Sequence, residues 1–72
     1  MRELLYKLLN KPFEEVLAYV REHNFTEAQM SDLMDTCGDE WYYHEDVWTA
    51  QTIQELKDFE HLLDKVYKVM DY

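Results

Sequence analysis

One proline and one glycine, Pro12 and Gly38, are the only strong backbone punctuation in the 72 residues of this chain. Turn-rich β structure draws on Gly and Pro at most of its reversals, so this sequence has little from which to build hairpins. Its apolar residues recur instead at intervals of three and four, the period of one face of an α-helix. The expected fold is all-α: a compact bundle of three or four short helices with a longer C-terminal helix, forming a single domain over residues 1–72.

The segments follow from that period. Leu4, Leu5, Leu8 and Leu9 share one side of a first helix, about Arg2 to Leu9. Pro12 suits the first turn of a second helix, where its missing N–H costs nothing. Phe13, Val16, Leu17 and Val20 form that helix's apolar stripe, and Asn24 is a natural left-handed stop. The third helix opens on a capping box, Thr26-Glu27-Ala28-Gln29, with Phe25 and Met30 placed as a hydrophobic staple. Met30, Leu33, Met34 and Cys37 are its core stripe, and Gly38 is expected to end it.

Asp39 to Thr49 is rich in both acids and aromatics. The spacing predicts partial helix there, with Trp41, His44, Glu45 and Trp48 on one face, an ordered loop being the alternative. Trp41 and Trp48 are expected to bury against the last helix. One face cannot hide four large rings in eight residues, so at least one of Tyr42, Tyr43 or Trp48 should be exposed. The last helix carries a second capping box at Thr52-Ile53-Gln54-Glu55, with a start near Thr49 as the alternative. Ile53, Leu56, Phe59, Leu63, Val66, Tyr67 and Met70 make its apolar face.

A chain this short buries only about 60% of its unfolded surface, and one cysteine allows no internal disulfide. Stability must come from helix packing or from a partner. A lone cysteine suits a reducing compartment. The N-terminal stretch is broken by charge and lacks the apolar run and small-residue cleavage site of a signal peptide. No stretch approaches membrane-spanning length, so a cytoplasmic location is expected.

Charge is the most uneven property of the sequence. The net charge is −9, yet no Lys or Arg occurs between Arg21 and Lys57. That window holds nine acids: Glu22, Glu27, Asp32, Asp35, Asp39, Glu40, Glu45, Asp46 and Glu55. Outside it, seven basic and seven acidic residues cancel. Such a middle repels nucleic acid and anionic membranes and attracts cationic partners.

Motifs with specific chemistry are absent. Asp35 to Asp46 has the length of a calcium loop. It puts Cys37 at its third position and Glu40 where the turn glycine should stand, so calcium is rejected. His23, His44, His61 and Cys37 have no paired ligand spacing, so no metal or other cofactor is expected. Cys37 with His44 is a conceivable nucleophile and base. Cys37 lies on a core stripe among acids, however, which is wrong for a thiolate, so an enzyme is not expected. Val16 to Met34 resembles the start of a helix-turn-helix, but the helix that should read DNA would be the acidic Asp39 to Trp48, so direct nucleic-acid binding is not expected.

What remains is binding to a protein. Asp32, Asp35, Asp39, Glu40, Glu45 and Asp46 are expected on one contiguous acidic face, with Tyr42, Tyr43 and Trp48 as aromatic anchors beside it. The partner is expected to be a protein with a basic, nucleic-acid-binding surface, which this face would occupy as an inhibitor by charge mimicry. Small acidic proteins of that type occur among phage and mobile-element products that disarm host enzymes. The competing expectation is a structural or regulatory protein acting as a homodimer or by apolar helix docking, through Leu5, Leu9, Tyr67, Met70 and Tyr72.

Overall fold

A computed structural model describes residues 1–72 and contains four helices and no strand. They are α1 (Arg2–Leu8), α2 (Phe13–Glu22), α3 (Glu27–Tyr43) and α4 (Ala50–Met70). The all-α bundle and its longer C-terminal helix are as the periodicity predicts. Helix α3 packs along α4, with α1 against α3 and α2 against α4. The core joins all four: Leu5 and Leu8 from α1, Val16 and Val20 from α2, Met30, Leu33 and Cys37 from α3, and Leu56, Phe59, Leu63 and Val66 from α4.

Two of the four helix starts, those of α3 and α4, are set by side-chain caps. At Thr26 the capping box is complete: the Thr26 N–H donates to Gln29 Oε1 at 2.8 Å, and the Gln29 N–H donates to Thr26 Oγ1 at 3.1 Å. Pro12 stands one position earlier than its expected place, as the N-cap of α2 rather than in its first turn. Asn24 takes the left-handed conformation at φ 50°, as expected of a stop, and Asp71 does the same after α4 at φ 53°. The cap of α4 is Thr49 and not Thr52, because the Thr52 N–H donates to Thr49 Oγ1 at 3.2 Å. The Glu55 side chain accepts from Gln51 instead of reaching back to a cap.

The largest departure from expectation is at Gly38, where α3 does not end. The helix runs five residues further, to Tyr43. The reason lies in the core stripe. Met30, Leu33 and Cys37 are followed at the next helical interval by Glu40, and all four are buried. A glycine inside a helix costs about 1 kcal/mol relative to alanine, less than one well-packed turn returns. The remainder of the ambiguous stretch is a turn, not a helix. His44 to Thr49 has no helical residue, and the Val47 N–H closes onto the His44 carbonyl at 3.0 Å. The proposed face of Trp41, His44, Glu45 and Trp48 therefore does not form.

Candidate functional site

The α3 helix divides its residues cleanly. Met30, Leu33, Cys37 and Glu40 point into the bundle, while Ala28, Asp32, Asp35, Asp39 and Tyr42 are all exposed. The second set repeats at intervals of four, three, four and three, which keeps it on one face of the helix. Three of the predicted acids, Asp32, Asp35 and Asp39, are thus aligned along the outside of α3. Glu45 and Asp46 are exposed on the turn that leaves its C-terminal end.

Glu40 does not belong to this face. It is only 2% exposed, the one charged residue in the core. The Arg2 guanidinium Nε lies 2.5 Å from Glu40 Oε1, and the Tyr6 hydroxyl donates to Glu40 Oε2 at 3.0 Å. Arg2 also reaches the Tyr6 hydroxyl at 3.4 Å. That hydrogen bond, and then the charge of Glu40, hold the Arg2 pKa above its ordinary value. Glu40 therefore fastens α1 to α3. Its position was legible in the stripe itself, at the next step after Cys37, and was hidden only by ending the helix at Gly38.

The aromatics separate into anchored and free rings. Trp41 packs against α4 as expected: its indole N–H donates to Glu60 at 2.5 Å, and Lys57 Nζ sits 4.9 Å from its ring centroid. Trp48 is half-buried, but its aromatic neighbour is Tyr6 of α1, 5.7 Å away, not a ring of α4. The Trp48 indole N–H is buried without a partner. Tyr42 and Tyr43 are free, at 63% and 70% exposed, with their rings edge to face at 4.9 Å. Val47, 67% exposed, stands on the adjoining turn.

Of the five residues in the competing apolar reading, Leu9, Tyr67 and Met70 are half-buried and Tyr72 is exposed. Leu5 is fully buried. Tyr67 donates to Glu27 at 2.5 Å, and Tyr72 donates to the Phe25 carbonyl at 2.9 Å. Together these hydrogen bonds strap the C-terminal end of α4 over the start of α3.

Cys37 is buried, and its thiol donates to the Leu56 carbonyl at 3.2 Å. Desolvation, followed by the charges of Glu60 and Glu40, pushes its pKa up to about 12. No group of three or more His, Cys, Asp or Glu is placed to hold a metal ion. A shallow cleft of about 430 Å³ lies between α3 and α4, bordered by Met34, Trp41, Lys57, Glu60, His61 and Asp64. No helix is long and apolar enough to cross a membrane. Comparison with protein-family models, with curated proteins and with solved structures found no match to this chain.

Proposed function

We propose that this chain is a protein-binding module whose acidic α3 face occupies a basic surface that another protein uses for nucleic acid. The observation that carries the reading is the exposed row Asp32, Asp35 and Asp39, in a stretch free of Lys and Arg from Glu22 to Leu56. On a helix rising about 1.5 Å per residue, these three carboxylates span roughly 10 Å of axis. One strand of duplex DNA presents about three phosphates over the same length, at roughly 3.4 Å each. The helix holds the row rigid, so the charge can be displayed without an ordering cost on binding.

The row also works against the helix that carries it. Asp35 has a like charge three residues before it and another four after it, and each such pair destabilises a helix by about 0.2–0.5 kcal/mol. Helix α3 has no basic residue in its last turn to offset its dipole. Local rules broken without a gain in folding are typical of functional surfaces.

An enzymatic role is not part of this reading, since Cys37 is buried with a raised pKa, the opposite of an activated thiol. The setting it fits is a cytoplasmic inhibitor of a nucleic-acid enzyme, of the phage or mobile-element anti-defence type. The test is affinity capture from a host lysate, eluted with a salt gradient. The partner should be a nucleic-acid-binding protein. It should release steeply with salt and fail to bind an Asp35→Lys, Asp39→Lys variant. Capture that is indifferent to salt would refute the proposal.

A further inference from the structure

We infer that the exposed pair Tyr42 and Tyr43 makes this surface selective for arginine over lysine side chains on its partner; the inference rests on the acidic-face reading above. Three of the exposed large hydrophobic residues, Tyr42, Tyr43 and Val47, cluster where α3 meets the following turn. Asp39 precedes them on the helix, and Glu45 and Asp46 lie between Tyr43 and Val47. Two exposed rings in edge-to-face contact at 4.9 Å, on a segment whose exposed charges, Asp39, Glu45 and Asp46, are all acidic, are complementary to a side chain that is planar, apolar on its faces and cationic at its edge. Arginine meets that description: its guanidinium stacks on aromatic rings and pairs with a carboxylate through two parallel hydrogen bonds. Lysine can set its compact, strongly hydrated charge over a ring, but it neither stacks flat on the ring nor pairs bidentately with a carboxylate.

The chain's own cations do not fill this place. Lys57 lies over Trp41 and Lys7 over Tyr19, with Nζ at 4.9 and 5.2 Å from the ring centroids. Arg2 is held by Glu40 and Tyr6. The fold thus twice sets a cation on an aromatic face and leaves Tyr42 and Tyr43, its two most exposed rings, without one.

The experiment titrates the full chain with two flexible peptides of equal charge, one carrying arginines spaced by Gly and Ser, the other lysines at the same positions. Affinities are read by fluorescence anisotropy at low and moderate salt. The arginine peptide should bind more tightly by about threefold or more, through the flat stacking and bidentate pairing that lysine does not make. A Tyr42→Ala, Tyr43→Ala variant should bring the two affinities together, with an unchanged circular dichroism spectrum because both rings are exposed. An Asp32→Lys, Asp35→Lys variant, which leaves the acids nearest the tyrosines in place, should weaken both peptides alike. Equal binding of the two peptides, unaltered by the tyrosine variant, overturns this inference and leaves the acidic-face reading standing. Failure of both peptides to bind at low salt removes both. Self-association lost in the tyrosine variant would show that a second copy covers the patch, which also overturns the inference.

Discussion

Arg2 and Glu40 meet at 2.5 Å across the seam between α1 and α3, and the carboxylate end of the pair is almost wholly buried while the guanidinium end reaches solvent. The asymmetry decides how each partner responds to removal. Arg2→Ala leaves a buried carboxylate with only the Tyr6 hydroxyl, a situation that is strongly destabilising in cores. Glu40→Leu removes the buried charge itself and returns the position to the apolar stripe it occupies. Arg2→Ala should therefore lower the melting temperature by several degrees and Glu40→Leu should leave it nearly unchanged. In the Glu40→Leu background, Arg2→Ala should have little further effect. A double-mutant cycle by urea denaturation checks the coupling, and additive effects would show that the pair does not fasten α1.

Gly38 is helical and has no positive φ. A Cβ placed there would meet the Glu60 carboxylate at 3.7 Å, an ordinary contact distance. Nothing in the packing requires glycine, so its flexibility is a cost without a compensating fit. Gly38→Ala should stabilise the protein by about 0.5–1 kcal/mol, read as a higher urea midpoint at unchanged slope. A loss of stability would mean that Glu60, and the Trp41 hydrogen bond it accepts, cannot shift to admit the methyl group.

The same glycine explains what was and was not legible in the sequence. The four helices, the Thr26 capping box and the Asn24 stop all follow from local pattern, because period and caps act within a few residues of themselves. Gly38 sends a local stop signal that tertiary packing overrides, since the stripe continues through Glu40 to bury against α1. Treating the stop as real made Glu40 look like a surface acid and made Asp39 to Trp48 look like a separate element. The outward row of Asp32, Asp35 and Asp39 was readable, as was the exposure of at least one ring among Tyr42, Tyr43 and Trp48, but not which. The pairing of Trp48 with Tyr6 was not, because it joins residues far apart in the chain and leaves no periodic trace.

Cys37 should be inert in the folded protein. It is buried, and its pKa is raised to about 12 from an ordinary 9.0, chiefly by desolvation. A thiol reagent at pH 8 should label the urea-unfolded chain in minutes and the native chain only at the rate of global or local opening. The shift also has a sign for stability. The unfolded thiol ionises near 9.0 and the folded thiol only near 12, so the folded state holds the proton more tightly. Its contribution is complete below pH 9.0 and is lost as pH rises towards 12. Tyr67 acts in the same direction, because its hydrogen bond to Glu27 raises its pKa. Urea midpoints should therefore fall above pH 9, and less so for a Cys37→Ala variant measured against its own neutral-pH value. An alkaline loss identical in the two proteins would show that the thiol has no part in it.

The acidic row allows a prediction in which folding and binding move in opposite directions. Asp35 stands between Asp32 and Asp39 on the exposed face of α3, so neutralising it relieves two like-charge pairs at once. Asp35→Asn should raise stability by about 0.5–1 kcal/mol at low salt, by the usual size of such pairs, and the gain should shrink as salt screens it. The same substitution should weaken binding to an arginine-bearing partner, and that loss should be largest at low salt as well. A row kept only for solubility would show the stability gain and no binding loss at any salt concentration. A row kept for a partner shows both, because the repulsion that strains the helix is the field that attracts the cation. Urea denaturation and anisotropy on the same preparations, across one salt series, separate the two outcomes.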